Sequence, residues 1–452
     1  MNKSPFLNIK TTAESMDILY KCFAAEGRRL KAEGTEAQRH KGTEGEEGKR
    51  QKTERREVDS LPSAFSLQPS ASYETIPFLD ANNRVLAQDV YSQEDVPNFN
   101  RSTMDGYGLD ARDTFGASSG MPAYLNIAGD VLMGEAASLS IKSGEAVRMP
   151  TGGSLPDGAN AVVMIEHSCE IDNKTVEIQK PVAIGENTVC VGQDIKKGGL
   201  LFSAGRLLRA YEIGALAAIG QTEVIVYQRL RVGIISTGDE IVPAHILPKS
   251  GQVRDISSTL LGSKILELGA IPEFYGIVKD RVELIRDAIT VCVAKNDMVL
   301  ICGGSSVGTR DLVVDVISSM GEILIHGVAM RPGKPTIIAQ IGGKPVIGLP
   351  GHPASSTIVF LVLVQPLLAH LQNTPLIQWH ITATTTRNIP SQPGREDYIR
   401  VKIQEKDGRY LAEPVFGPSG LITPVFEANG LIKIPIDCEG IDEGQEMRVM
   451  LM

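Results

Sequence analysis

The sequence predicts a multi-domain protein of the α/β plus β class, built around a central doubly wound, mostly parallel sheet. Three observations predict it. Strand-like and helix-like segments alternate after Gln228, the pattern of βαβ units. Short alternating runs broken by Gly, Pro and Asp-Asn signals fill Leu125 to Phe202, the texture of a small antiparallel β domain. A second β texture starts at Ile377 and carries the hairpin signal Asp407-Gly408.

A chain of 452 residues exceeds what one core supports. Its 42% apolar and 22% charged content is that of an ordinary globular protein. A net charge of −9 argues against a nucleic-acid partner, which calls for a basic face, but leaves room for a small anion held by a few local cations. The six cysteines form no CxxC pair, so zinc spacing is absent and no disulfide framework is expected. The N-terminus lacks the apolar core of a signal peptide. The most apolar stretch, Ser356 to Leu371, carries Gln365 and Pro366 and falls short of the roughly 20 residues of a membrane span. It reads as a buried helix. A reduced, cytoplasmic setting with no membrane contact is the expectation.

In chain order, Thr11 to Phe23 reads as a helix whose Thr11 and Glu14 form a capping box. From Glu26 to Glu57 there follow ten Lys/Arg and eight Glu with Leu30 as almost the sole apolar side chain. Such a segment buries too little to offset its ordering entropy, so 26–72 is expected to be a disordered charged insertion. Ala161 to Ile165 and Thr175 to Ile178 are strands of the small β domain, the second after the turn Asp172-Asn173. Beyond Gln228 come a buried strand (Arg231 to Ser236), a helix (Ser257 to Leu268), a strand (Phe274 to Val278), a helix (Val282 to Val293), a strand (Met298 to Cys302), a helix (Leu312 to Met320), a strand (Ile323 to Val328) and a closing helix (Pro353 to Leu371). Such sheets hold ligands at the carboxyl ends of their strands. Tyr398 to Ile403 and Tyr410 to Val415 form the terminal hairpin.

Two loops there join glycine to carboxylate. Ser236-Thr237-Gly238-Asp239-Glu240 precedes Asp255, and Gly303-Gly304-Ser305-Ser306-Val307-Gly308 precedes Asp311. Glycines at a strand-to-helix turn let backbone N–H groups approach an anion. Carboxylates beside a phosphate need a bridging cation, and hard oxygen donors suggest Mg²⁺. The alternative is that the glycines make tight turns and Asp311 caps its helix. The glycine loop is not a Walker sequence. A third cluster, Arg331-Pro332-Gly333-Lys334-Pro335 and Gly348-Leu349-Pro350-Gly351-His352-Pro353, is expected after the fourth strand, with Lys334 a point charge for an oxyanion. The polar stretch Pro97 to Tyr107, which contains Ser102-Thr103-Met104-Asp105-Gly106-Tyr107, taken alone is a linker.

Together with Ala428-Asn429-Gly430-Leu431, these loops resemble the molybdopterin molybdenumtransferase family, comprising MoeA and the gephyrin E-domain, over nearly the whole chain except about Glu26 to Ser72. The resemblance implies four parts: an extended N-terminal and linker domain (1–97 and 194–227), a small β-rich domain (98–193), a MoaB/Mog-like α/β domain binding molybdopterin (228–373) and a C-terminal β domain (374–452). It implies a transferase of molybdenum cofactor biosynthesis that takes adenylylated molybdopterin and molybdate, cleaves the adenylate with Mg²⁺, releases AMP and leaves molybdenum on the dithiolene. It implies a homodimer whose cleft pairs the α/β domain with the Ser102–Tyr107 loop of the second copy, supplied by the adenylyltransferase that makes the substrate. By motif, Asp105, Asp311, Glu240, Asp255, Thr151 and Asp194 are the catalytic candidates, and Asp311, Asp255 and Glu240 the metal candidates. Ser236, Thr237, Gly238, Gly303, Gly304, Ser305, Ser306, Gly308, Pro350 and Gly351 would hold the pterin ligand. Lys334, Ser355, Arg395, Arg400 and Ser419 would hold molybdate.

This sequence departs from the family at His352, usually Asn, at Ser257, often Asn, and at Thr309, commonly an acid. His352 either adds a cation near the oxyanion or simply tolerates the loop. A molybdopterin adenylyltransferase and a non-catalytic scaffold on the same fold are the competing readings. The first needs only the α/β domain, and the retained acids speak against the second.

Overall fold

The computed structural model describes residues 9–23, 72–303 and 312–452. The expected insertion therefore lies, apart from residue 72, outside the described residues. The chain divides into two compact units, one comprising Thr75–Val226 and the other the remainder.

Helix α1 (Thr12–Cys22) starts at the expected capping box, in which Thr11 Oγ1 accepts from the Glu14 N–H at 3.1 Å and the Thr11 N–H donates to Glu14 Oε2 at 2.8 Å. Its Leu19 is fully buried in the core of the α/β sheet described below.

The Thr75–Val226 unit holds a six-stranded sheet of β1 (Gly106–Leu109), β2 (Ala123–Asp130), β3 (Glu145–Met149), β4 (Ala161–Met164), β5 (Ser168–Asp172) and β6 (Thr175–Ile178), ordered β4-β1-β3-β2-β6-β5. It is not wholly antiparallel as expected, because β2 and β3 run parallel. The 14 residues of Val131–Gly144 between them are long enough for the crossover that a parallel pair requires. On this sheet Tyr107 donates to Glu170, whose carboxylate also accepts from Arg148 Nε at 2.6 Å and Nη2 at 3.1 Å. Arg148 first, then Tyr107, draw the Glu170 carboxyl down to about 2. A depressed carboxyl contributes stability that is complete above its unfolded value and disappears as pH falls through the folded one. Stability of this unit should accordingly decline between about pH 4.5 and about pH 2, and Glu170→Gln should flatten that limb of a pH-dependent melting series.

The other unit carries β7 (Arg231–Thr237), α2 (Ser257–Glu267), β8 (Ile271–Val278), α3 (Val282–Lys295), β9 (Met298–Cys302), α4 (Leu312–Met320), β10 (Glu322–His326), β11 (Ile337–Ile341), β12 (Lys344–Leu349), α5 (Pro353–Val359) and α6 (Gln365–Leu371). The sheet order is β8-β7-β9-β12-β11-β10, with the first four parallel and β11 antiparallel to both its neighbours. Side chains alternate across the pleat and split each central strand between two cores. Met298, Leu300 and Cys302 of β9 join one cluster with Val232, Ile234, Leu261 and Phe360, whereas Val299 and Ile301 join another with Ile235, Ile285, Ile289 and Val313. This is a doubly wound arrangement, and it explains why these strands read as unbroken apolar runs. The β11–β12 hairpin is absent from the sequence reading. Its turn, Gly342-Gly343, holds φ of 58° and 79°, as a two-residue hairpin loop demands.

Residues Pro353–Leu371 form one helix long and apolar enough to cross a membrane, with 78% of its apolar window buried. It serves here as a core helix. A π turn at Phe360–Val364 joins α5 to α6 just before Pro366, where a missing N–H interrupts the regular ladder. Phe360 is fully buried, and Phe360→Ala should cost about 3–5 kcal/mol, seen as a lower denaturant midpoint.

Strands β13 (His380–Thr385), β14 (Glu396–Lys406), β15 (Arg409–Pro414), β16 (Gly430–Ile434) and β17 (Glu446–Leu451) pair in the ring β14-β15-β13-β17-β16-β14. Closure leaves this five-stranded barrel without a free edge. The expected hairpin at Asp407-Gly408 is present, both residues having positive φ. Asn429 donates to and accepts from the backbone of Ile403, and a Cβ on Gly430 would lie 2.6 Å from Ile403 Cδ1. The Ala428–Leu431 stretch thus seals the barrel. Met330–Arg331 pairs parallel with Glu396–Asp397, so the Arg331–Pro335 loop leads from the barrel seam into β11. It comes after β10, the fourth strand expected, whereas Gly348–Pro353 runs on from the end of β12, a strand absent from the sequence reading.

Candidate active site

At the carboxyl ends of β7, β9 and β12 lies a cavity of about 780 Å³. Its walls include Ser236, Thr237, Glu240, Asp255, Gly303, Pro350, Gly351 and Ser355, which are sequence candidates from three loops spread over 120 residues. Close backbone approach makes this possible. A Cβ on Gly303, whose φ is +114°, would meet the Thr237 carbonyl oxygen at 2.3 Å, and one on Gly351 would lie 3.4 Å from Gly303 Cα. Glycine is therefore required where β9 turns past β7. Gly238 adopts φ +146° beside Glu240. The Ser257 hydroxyl donates to the Gly351 carbonyl at 3.3 Å, tying α2 to the same stack.

Asp255 accepts from the Ser236 hydroxyl at 2.6 Å and from the N–H and hydroxyl of Ser258 at 3.1 and 2.7 Å. Its carboxylate is thus both fixed in the wall and the cap of the first turn of α2. Glu240 is exposed at the rim. Burial first, then the neighbouring Asp239 and Glu240, push the Asp280 carboxyl up, with Lys279 opposing them, which marks this rim as acidic. Gly304, Ser305, Ser306, Gly308, Thr309 and Asp311 lie outside the described residues. Among the described residues no three His, Cys, Asp or Glu side chains form a metal-binding group.

Of the oxyanion candidates, only Ser355 is among the residues that line this cavity. Lys334 is exposed next to the lining residue Pro335. The Ser419 hydroxyl meets His352 Nδ1 at 2.9 Å, and the Ser419 carbonyl accepts from the Ala354 N–H at 3.2 Å. Arg400 donates through Nη2 to the Gly417 carbonyl at 3.2 Å, and its buried Nη1 has no hydrogen-bond partner among the described residues. Burial draws its guanidinium pKa down. Arg395 pairs instead with the buried Asp397 at 2.9 Å.

Asp105, Thr151 and Asp194 belong to the Thr75–Val226 unit. Asp105 Oδ1 accepts from the Thr151 N–H at 2.7 Å, and that bond holds the Asp105 carboxyl below its usual range. A Cβ on the next residue, Gly106, would fall 1.9 Å from the Val163 carbonyl oxygen, so the loop enters β1 through a position only glycine fits. Asp194 is exposed, its N–H bonded to the Val96 carbonyl. The sequence reading missed Arg254, Cys302 and Gly420, which also line the cavity. Cys302 reads as strand core and is buried, with burial and then Asp255 pushing its thiol up. Arg254 carries no local signal.

Three family models match the chain: MoeA N-terminal region (domain I and II) over residues 52–220, a molybdopterin binding domain over 233–370, and MoeA C-terminal region (domain IV) over 382–452. A molybdopterin biosynthesis protein of Methanocaldococcus jannaschii is 35% identical over 396 residues, covering 85% of this chain and 94% of the relative. A molybdopterin molybdenumtransferase of Nostoc is 32% identical over 405 residues, covering 87% and 92%. The crystal structure of a molybdopterin biosynthesis MoeA protein from Pyrococcus horikoshii superposes with TM-score 0.78 at 26% identity, covering 98% of this chain and all of that one. A second structure of such a protein from that organism gives 0.75 at 33% identity, covering 98% and 99%.

Proposed function

Because this chain belongs to the MoeA family, transferases of molybdenum cofactor biosynthesis, we propose that it inserts molybdenum from molybdate into adenylylated molybdopterin, cleaving the adenylate with Mg²⁺ and releasing AMP. The observation that carries this reading is one cavity lined by the carboxylates of Glu240 and Asp255, the guanidinium of Arg254 and the hydroxyls of Ser236, Thr237 and Ser355. The matches beyond the α/β domain favour insertion over adenylyl transfer. A cytoplasmic setting belongs to the same reading.

Mg²⁺ fits the residues present. It prefers oxygen donors and is held by one or two carboxylates with water completing its shell. Glu240 and Asp255 line the wall, and Asp311 is the further candidate by sequence. When bound, the ion would neutralise the phosphoanhydride charge that these carboxylates otherwise repel. The protein's own share is positional. Ser236 and Ser258 hold Asp255 in one orientation, and the Thr237–Gly303–Gly351 stack brings backbone close to the ligand. Ser355, Lys334 and the unpartnered Nη1 of Arg400 would supply donors suited to molybdate oxygens, with Ser419 acting through the His352 ring. Asp105, held by Thr151, would reach the cavity of a second copy, making the enzyme a homodimer fed by the adenylyltransferase.

The reading is tested by reconstitution. Incubated with adenylylated molybdopterin, Mg²⁺ and molybdate, the protein should yield a product that activates a cofactor-free molybdoenzyme. No activation by folded protein contradicts it. Lys334→Ala should weaken molybdate binding about tenfold or more, the loss of one charge-assisted contact, while changing adenylate cleavage much less. Unchanged molybdate affinity, read by calorimetry, would remove Lys334 from the pocket.

A further inference from the structure

His352 stands at the entry to α5 with an extended backbone (φ −76°, ψ 129°), and its side chain makes no capping bond to that helix. Its imidazole lines the cavity instead. Nδ1 is 2.9 Å from the Ser419 hydroxyl, and Nε2 has no hydrogen-bond partner among the described residues. The Ser419 backbone is itself fixed by the Ala354 N–H, so the hydroxyl is presented to the ring from a tethered loop. The other ring edge faces Gly420. A Cβ there would lie 3.6 Å from Cδ2 and 3.8 Å from Nε2, so a longer side chain would cover Nε2 and glycine leaves it clear.

The Ser419 contact admits two tautomers, because the hydroxyl either accepts from an Nδ1–H or donates to a bare Nδ1. A serine hydroxyl that donates to Nδ1 places the ring proton on Nε2. The ring then offers one fixed N–H to the cavity. The same cavity is lined by Ser355 of α5, Arg254 and Asp255 before α2, and Glu240 on the β7 loop.

We propose that His352 is a ligand-binding residue whose Nε2–H donates to an oxyanion in this cavity, with Ser419 selecting the tautomer. The inference rests on the proposed function and deepens it by assigning an anion contact to a position where the family usually has Asn. Asn can supply an N–H from its amide, but it cannot be locked by a hydroxyl in the same way. The oxyanion is molybdate or the adenylate phosphate, which share the tetrahedral oxygen geometry.

The test is calorimetric titration of the full-length protein with sodium molybdate and, separately, with AMP. His352→Ala should bind one of the two at least tenfold more weakly than the unaltered protein. The ligand affected identifies the oxyanion. His352→Asn should stay within about threefold, and Ser419→Ala should fall between. Should His352→Ala fail to fold, ¹⁵N resonances of histidine-labelled unaltered protein serve instead. They should report the Nε2–H tautomer and a shift of that nitrogen on adding the oxyanion, and the Nδ1–H tautomer or an unmoved resonance would overturn the proposal. Undiminished affinity of His352→Ala for both ligands overturns it while leaving the functional reading standing. Unaltered protein that binds neither ligand contradicts both.

Discussion

Asp105→Ala is expected to slow AMP release by about 10²–10⁴-fold, the range for losing a positioned catalytic carboxyl, while the protein stays folded. Asp105 is exposed, and its carboxylate is held by the N–H and the side chain of Thr151. Asp105→Asn sharpens the result. It keeps an oxygen acceptor for Thr151 but removes the charge. If the role is electrostatic, Asn should be nearly as slow as Ala. Activity close to normal in Asn would make Asp105 a support for the Thr151 turn only. The proposed dimer adds a second signature. Mixing Asp105→Ala with Asp311→Ala protein should restore part of the activity that neither has alone, because some mixed dimers then hold one intact cleft. No recovery after subunit exchange, measured by AMP release, counts against a shared cleft.

Gly303→Ala is the second large effect. The added Cβ would sit 2.3 Å from the Thr237 carbonyl oxygen, on a backbone at φ +114°. Strain at such a conformation costs about 1–3 kcal/mol, and forced repacking adds roughly the same. The carbonyl ends β7, an interior strand paired on both sides, so it cannot yield cheaply. The expected outcome is a lowered melting temperature together with loss of pterin binding, since β7 and β9 separate at the cavity floor. A variant with normal stability and normal pterin affinity would show that the close approach is not needed.

How much of this was legible in the sequence depended on whether the cause was local. Met298 to Cys302 and Leu312 to Met320 were read with the bounds the structure has, because an unbroken apolar run and an amphipathic run are properties of the segment itself. The Thr11–Glu14 box and the Asp407-Gly408 turn were legible for the same reason. The β11–β12 hairpin was missed although Gly342-Gly343 is a turn signal. The Pro/Gly clusters at 331–335 and 348–353 dominated the reading of the apolar runs between them. Barrel closure by β14–β16 pairing joins residues far apart in sequence, and no window shows it. At the site, residue types were legible but their engagements were not. Asp255 was legible as a candidate metal carboxylate at a helix start, but not its engagement by Ser236 and Ser258. His352 looked like a tolerated substitution, and its partner Ser419 is 67 residues away. Arg395 looked equivalent to Arg400, yet it pairs through Nε with the buried Asp397, whereas Arg400 reaches the Gly417 carbonyl and keeps a buried Nη1 without a partner among the described residues.

The central claim is that this cavity couples adenylate cleavage to molybdenum insertion. The most direct measurement is a single-turnover reaction of the protein with adenylylated molybdopterin, quenched over time and analysed for AMP and pterin-bound molybdenum. With Mg²⁺ and molybdate present, AMP and pterin-bound molybdenum should appear in equal amounts, and withholding Mg²⁺ should abolish both. Correctly folded protein that releases no AMP, or that releases AMP while no molybdenum reaches the pterin, would contradict the account.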